Sequence, residues 1–322
     1  MTVDFLLLAV GLALLVGGGD VMVRGSTGLA RGLGVSPLAI GLTVVAFGTS
    51  APELAVNVIA AWTGRGDISF GNIFGSNMAN IGLIVGLTAL IKPISIRRSF
   101  VSRELPMMLL ATIAAMIMGF DEFLGRGPNG YSQGEGVVLL LLFLIFLFYT
   151  VGDFVRQRGQ NDATKLIAGS VGNSVWMSLG YTVLGLVGLV GGAHITVESA
   201  VDIARAVGIS EVIIGLTVLA VGTSLPELVA SMVATMRGHV ELAIGNVVGS
   251  NIFNLLLVLG VTTVVNPFSV PEGGHTDLWV LLALSAVLVL VASTAGRKII
   301  RTEAALLLVI YLSYLAFRST AA

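Results

Sequence analysis

The sequence predicts an all-α polytopic membrane protein, with about ten transmembrane helices forming two inverted five-helix repeats. Three observations carry that prediction. The 322 residues are 56% hydrophobic and 11% charged, with a mean hydropathy of +0.99, a balance foreign to soluble globular domains. Apolar runs, broken by Gly, Pro and short charged clusters, recur at about the 20-residue length that crosses a hydrocarbon core. The chain also repeats itself: GLTVVAFGTSAPEL from Gly41 matches GLTVLAVGTSLPEL from Gly215, and GNIFGSNMANIGLIVGL from Gly71 matches GNVVGSNIFNLLLVLGV from Gly245, both at an offset of 174 positions.

The first helix, near 4–22, follows Asp4, the only charge before Asp20. With no basic n-region ahead of it, Phe5 to Val16 reads as a membrane helix rather than the h-region of a signal peptide. Helices near 36–63 and 69–91 hold the first copies of the motifs, and helices near 104–120 and 134–152 follow. The polar stretch Gly152 to Lys165 is the connection between halves, which gives a first repeat over 1–158, a cytoplasmic linker over 159–172 and a second repeat over 173–322. The second copy places helices near 173–193, 209–236, 241–265, 277–294 and 303–318. The same offset pairs Gly17 and Gly18 with Gly191 and Gly192, Arg31 with Arg205 and Pro93 with Pro267, so the duplication covers whole halves. Five helices per copy is an odd number, so the second copy enters the membrane from the opposite side.

Charge fixes an orientation for this scheme. One side holds Arg24, Arg31, Lys92, Arg97, Arg98, Arg103, Arg156, Arg158, Lys165, Arg237, Arg297, Lys298 and Arg301, and the other only Arg65, Arg126, Arg205 and Arg318. The positive-inside rule makes the first set cytoplasmic and puts both termini outside. With no cysteine, disulfides, haem thioethers and thiolate metal sites are excluded. A net charge of −1 and the lack of a basic domain exclude a nucleic-acid partner. The lipid bilayer is the expected partner, and a monomer suffices for this reading.

Each repeat sets a carboxylate, Glu53 or Glu227, well inside a membrane helix. An acid at that depth costs about 2.5–3.5 kcal/mol on the gentlest scale. No Lys or Arg lies in these helices, so the countercharge is expected from solution, as a metal cation or a proton. Pro52 and Pro226 lack an N–H, and Gly48 and Gly222 loosen the preceding turn, which frees carbonyls near Ala46 to Thr49 and near Ala220 to Thr223. Thr49, Glu53 and Asn57 share one helix face, as do Thr223, Glu227 and Ser231. The next helix of each half adds Asn72, Ser76 and Asn80, repeated as Asn246, Ser250 and Asn254. Hard cations such as calcium take 6–8 oxygens of these kinds, whereas softer metals call for His or Cys.

Blander readings cover part of this pattern. Ser50 with Glu53 and Ser224 with Glu227 fit the S-x-x-E capping box. Gly71, Gly75, Gly245 and Gly249, taken singly, read as packing positions between helices. Asn72, Asn77, Asn246 and Asn251 suit interhelical hydrogen bonds as well as ion contact. His194, His239 and His275 are placed at loop ends, and Glu198, Asp202 and Glu211 on a solvated outer face. The capping reading is weakest for Glu53 and Glu227, because a glutamine would cap as well without burying a charge.

At GTSAPE, GNIFGSNMAN, GTSLPE and GNVVGSNIFN the chain resembles the cation/calcium exchanger superfamily, specifically the prokaryotic sodium/calcium exchangers, over its whole ten-helix layout. The resemblance implies a secondary antiporter of the prokaryotic inner membrane rather than an enzyme, with no cofactor and with Na+ and Ca2+ as transported ions. It makes Glu53 and Glu227 the shared carboxylates. It assigns hydroxyl or carbonyl oxygens to Thr49, Ser50, Ser76, Thr223, Ser224 and Ser250, backbone carbonyls to Ala46 and Ala220, and the middle of the cluster to Asn80 and Asn254. Some relatives, including potassium-dependent ones, carry aspartate where Asn254 stands. Asparagine in both copies leaves two negative charges rather than three and argues against a potassium requirement. A third sodium ion, which the resemblance suggests, would travel uncompensated and make exchange electrogenic. The Gly-rich first and sixth helices are expected to shift against a rigid bundle and expose the site alternately. A proton/calcium exchanger using the same carboxylates, a passive cation channel and, last, an intramembrane Ser or Thr hydrolase are the competing readings.

Overall fold

A computed structural model describes residues 2–123, 125, 127–165, 175–207, 222–294, 296 and 298–321. The helices are α1 (Thr2–Leu33), α2 (Pro37–Thr49), α3 (Ala51–Trp62), α4 (Gly66–Ile91), α5 (Arg98–Ser102), α6 (Glu104–Met118), α7 (Gln133–Lys165), α8 (Val175–Ala206), α9 (Leu225–Met236), α10 (Val240–Val265), α11 (Gly274–Ser293) and α12 (Arg301–Ala321). Among the described residues, seven helical spans are long and apolar enough to cross a membrane, and α2 with α3 as one interrupted span makes eight. Every predicted span coincides with a helix, although the segment near 209–236 is described only from residue 222. Side chains such as Trp62, Phe123 and Trp176 point outward, as a lipid-facing surface requires.

Three helices are longer than expected. α1 runs to Leu33 rather than to about 22, and α8 to Ala206 rather than to about 193. Their extra turns are built from small and polar residues that look like loop in the sequence. In the structure Ser26, Thr27, Thr196 and Ser199 are buried. α7 continues through the polar stretch Gly152 to Lys165, which contains no proline and carries the good helix formers Arg156, Gln157, Arg158, Gln160, Ala163 and Lys165. Residues 159–165 of the expected linker are thus helical, and 166–172 lie outside the described residues.

The protein divides into two compact units, Met1–Thr49 with Leu147–Val247 and Ser50–Phe146 with Val248–Ala322. Each unit draws on both sequence halves. In the first unit α1 and α8 lie side by side and antiparallel. A Cβ built on Gly11 would meet Thr196, one on Gly18 Leu189, one on Gly25 Thr182 and one on Gly32 Val175. Partner numbers fall as the glycine number rises, which is the antiparallel signature. Glycines are required here because their approaches end on backbone atoms: a Cβ on Gly185 would sit 2.2 Å from the Met22 nitrogen, and one on Gly192 2.6 Å from the Leu15 nitrogen. Since α8 is the repeat copy of α1, the inversion of the copies is visible within this unit. Its apolar core adds Ile40 and Val45 from α2, Ala230 and Ala234 from α9, and Leu242 and Ala243 from α10.

In the second unit α3 packs on α4, α12 on the C-terminal part of α4, and α11 on α6. Two short antiparallel ladders, absent from the sequence reading, tie its connections. β1 (Ile94–Ser95) pairs with β4 (Lys298–Ile299), and β2 (Gly130–Tyr131) pairs with β3 (Phe268–Ser269). β1 and β3 occupy equivalent positions of the two repeats, at the offset of 174. Each of them pairs with the connection between the last two helices of the opposite repeat. Tyr131, buried between Phe74 and Phe268, donates its hydroxyl to the Ala115 carbonyl at 3.0 Å and anchors the β2–β3 ladder.

Candidate cation site

The helical chain is interrupted at Ser50, whose ψ of 2° ends α2 and whose following residues Ala51 and Pro52 open α3. Ser224 repeats this before α9, with ψ 4° and Pro226 in the first turn. Neither serine makes a side-chain capping bond, so the S-x-x-E capping box is not formed. The glutamates that a capping box would employ are instead fully enclosed: Glu53 and Glu227 are each 1% exposed. No Lys or Arg occurs in α2, α3, α4, α9 or α10.

In the second unit, Ser50, Glu53 and Asn57 of α3, Ser76 and Asn80 of α4, and Ser250 and Asn254 of α10 are all buried, on elements that pack against one another. Asn57 Nδ2 donates to the Glu53 carbonyl and to Asn72 Oδ1, both at 2.7 Å, and so ties α3 to α4. Among the described residues, Asn80 Oδ1, Asn57 Oδ1 and both amide atoms of Asn254 are buried without a hydrogen-bond partner. Buried amides left without a protein partner are rare in folded proteins, so these oxygens and nitrogens can serve a polar ligand such as an ion or water.

In the first unit, Ala46 and Thr49 of α2 and Ser224, Glu227 and Ser231 on and before α9 are likewise buried, and Thr223 is half-buried. Asn246 of α10 joins them. Its Nδ2 donates to Ser231 Oγ at 3.1 Å and to the Glu227 carbonyl at 3.5 Å, and its Oδ1 accepts from Thr49 Oγ1 at 3.2 Å. Asn72 and Asn246 therefore serve as interhelical hydrogen-bonding groups. Ser224 Oγ has no partner among the described residues. Ala220 lies outside them.

Nothing in the amino-acid pattern announces the π turns. Gly41–Val45 leads into Ala46, Asn80–Val85 begins on Asn80, and Phe253–Val258 contains Asn254. A π turn adds a residue to the helical repeat and recurs at functional sites. Of the three among the described residues, two contain glycine and Phe253–Val258 has none, so no glycine marks them all. The glycine readings divide. Gly245 packs against Leu38, Leu42 and Gly41, as expected, whereas a Cβ on Gly71 or Gly75 would meet nothing within 4 Å among the described residues. His194 lies inside α8 beside Glu198, at 3.4 Å, rather than at a loop end. Glu198 and Asp202 are exposed, and Glu211 lies outside the described residues.

Within its own unit each enclosed carboxylate, at an equivalent repeat position, has buried hydroxyl and amide side chains on the same or a packed helix, oxygen donors of the kind a hard cation takes. The family model described as sodium/calcium exchanger protein matches residues 3–152 and again 177–320. The chain belongs to the sodium/calcium exchanger family. The model matches once in each half, as the duplication requires. The proposed antiporter CaxA of Alkalimonas amylolytica is 38% identical over 319 residues, covering 98% of both chains. The sodium/calcium exchanger MaX1 of Methanosarcina acetivorans is 33% identical over 348 aligned positions, covering 98% of each. A solved structure of the sodium-calcium exchanger NCX_Mj, soaked with sodium and calcium, superposes with a TM-score of 0.84 at 36% identity, covering 98% of both chains. This family is one of transporters, and the chain is a polytopic helical membrane protein of that kind.

Proposed function

We propose that the protein is a secondary antiporter that exchanges sodium for calcium by alternating access, electrogenically, in the inner membrane of a prokaryotic cell with both termini outside. The observation that carries this reading is the pair of enclosed carboxylates, Glu53 and Glu227, in helices without a single basic residue. Family membership and the names of the relatives support sodium and calcium as the ions. Glu53 and Glu227 are the shared ligands. Thr49, Ser50, Ser76, Thr223, Ser224, Ser250, Asn80 and Asn254 supply further oxygens, together with the carbonyls of Ala46 and Ala220. One calcium ion neutralises two carboxylates, and so do two sodium ions. Competition for the same charge makes binding of one ion incompatible with the other, and a neutral site crosses a low-dielectric medium far more cheaply than a charged one.

The test is radiolabelled calcium uptake into proteoliposomes under defined sodium, potassium and pH gradients. Uptake is expected to follow the outward sodium gradient, to ignore potassium and to persist when the pH gradient is collapsed. Removing one unit charge about 4 Å from a divalent ion in a partly screened interior is worth about 4 kcal/mol per charge pair. A divalent ion doubles that figure, the retained amide oxygen offsets part of it, and Glu53→Gln and Glu227→Gln are each expected to weaken calcium binding by at least about a thousandfold while leaving the fold intact. Uptake by either variant at the wild-type rate would remove the basis of the proposal, and flux needing no counter-ion would mark a channel.

A further inference from the structure

We infer that the basic patch at the β1–β4 end of the second unit is a binding surface for the headgroups of anionic phospholipids. Six cations meet there from three connections. Lys92 follows α4, Arg97 and Arg98 open α5, Arg103 precedes α6, and Lys298 and Arg301 flank the turn into α12. All six are exposed. The ladder sets Ser95 opposite Lys298 and Ile94 opposite Ile299, which brings the two ends of the patch together. The scaffold beneath is rigid, because Ile94, Ile96, Phe100 and Ile299 are buried while the basic residues between them point out. Arg301 Nε donates to the Leu90 carbonyl at 3.0 Å and holds its guanidinium against the end of α4.

The repeat supplies an internal control. The β2–β3 end reproduces the local architecture, yet at the offset of 174 Lys92 becomes Asn266, Arg98 becomes Glu272 and Arg103 becomes Asp277. The fold is thus built equally well with the opposite charge, so packing does not demand the cations. Glu303, an acid close to the patch, is engaged locally at the start of α12: it accepts from the Ile300 N–H at 2.9 Å and the Thr294 hydroxyl at 3.1 Å. Arg97 and Arg103 also have interactions within the protein, and the inference rests on Lys92, Arg98 and Lys298. The occupant is a lipid rather than a soluble phosphate because the patch adjoins the outward-facing apolar side chains Ile91, Ile300 and Leu290. A phospholipid places acyl chains on such a surface and its phosphate beside the cations.

Native mass spectrometry of the full chain, released from mixed micelles of phosphatidylglycerol and phosphatidylcholine, tests this. The wild type is expected to retain phosphatidylglycerol preferentially. Each cation near an anionic surface contributes about fivefold, so Lys92→Gln with Arg98→Gln and Lys298→Gln should reduce that preference at least tenfold. The charge-preserving set Lys92→Arg, Arg98→Lys and Lys298→Arg should retain it, which separates charge from folding. An unchanged preference in the glutamine variant overturns the inference, as does equal loss in the charge-preserving set. Displacement of the lipid by millimolar inorganic phosphate would also overturn it, in favour of a free-phosphate site.

Discussion

The two repeats fasten each glutamate helix to the next helix with one amide, taken from opposite partners. In the first copy the donor is Asn57, on the glutamate's own helix; in the second it is Asn246, on the neighbouring one. Both amides end on the carbonyl of the glutamate itself, so the backbone under each carboxylate is held. This was half legible: the spacing marked Asn72 and Asn246 as polar positions on a membrane helix, but only coordinates could tell a hydrogen bond from an ion ligand. A second residue-scale consequence lies at His239, in the turn between α9 and α10. Partial burial, followed by the Arg31 and Arg237 guanidiniums, lowers the affinity of its imidazole for a proton below the ordinary value. Arg237 is itself paired with Asp20, which also pairs with Arg24 at 2.9 Å. The folded chain thus binds this proton less readily than the unfolded chain. The stability associated with neutral His239 is complete above the unfolded value of about 6.5 and lost as pH falls below it. Melting temperatures from pH 8 to pH 5 should fall more for the wild type than for His239→Gln, and parallel curves would show that His239 is not the source.

At the scale of elements, the α1–α8 pair separates glycines that fit a neighbour from glycines that face outward. A Cβ on Gly18 would lie 2.6 Å from the Leu189 nitrogen and 2.9 Å from the Gly185 carbonyl oxygen, atoms that cannot rotate away, whereas one on the exposed Gly17 would meet nothing within 4 Å among the described residues. Gly18→Ala is expected to cost about 1–3 kcal/mol as overpacking, and Gly17→Ala to be neutral or to gain up to about 1 kcal/mol from helix propensity. Thermal melting of the two variants checks the contrast, and similar shifts would refute the packing. The same pair is the moving element of the proposed mechanism. A Cβ on Gly19 would lie 3.3 Å from Val233 Cγ2 on α9, within reach of a disulfide. In a chain with no native cysteine, Gly19→Cys with Val233→Cys should lose exchange on oxidation and regain it on reduction; full activity while crosslinked would exclude movement of α1 against α9. The sequence located these helices from their apolar runs but ended both early, because Ser26, Thr27, Thr196 and Ser199 resemble loop residues until a helical partner covers them. The π turns escaped it for a different reason: one extra residue in a largely apolar run leaves little change in hydrophobic pattern to read.

For the whole molecule, the decisive quantity is the charge of the loaded site. The odd number of helices per repeat already implied inversion, and the antiparallel pairing of α1 with its copy α8 agrees with it. The two carboxylates come one from each repeat, while asparagine at 80 and 254 keeps the total at two. With calcium bound the proposed site is neutral, and with three sodium ions it carries one net positive charge. A cycle that takes one calcium into a vesicle and releases three sodium ions moves one positive charge outward. An inside-positive potential should therefore accelerate calcium uptake and an inside-negative one slow it. One charge moved through 100 mV corresponds to about 2.3 kcal/mol, so the calcium ratio at equilibrium should shift about fiftyfold. Proteoliposomes clamped with potassium and valinomycin provide the measurement, since potassium itself has no expected part in the cycle. A calcium ratio indifferent to voltage would reduce the counter-transport to two sodium ions and leave the site neutral in both directions.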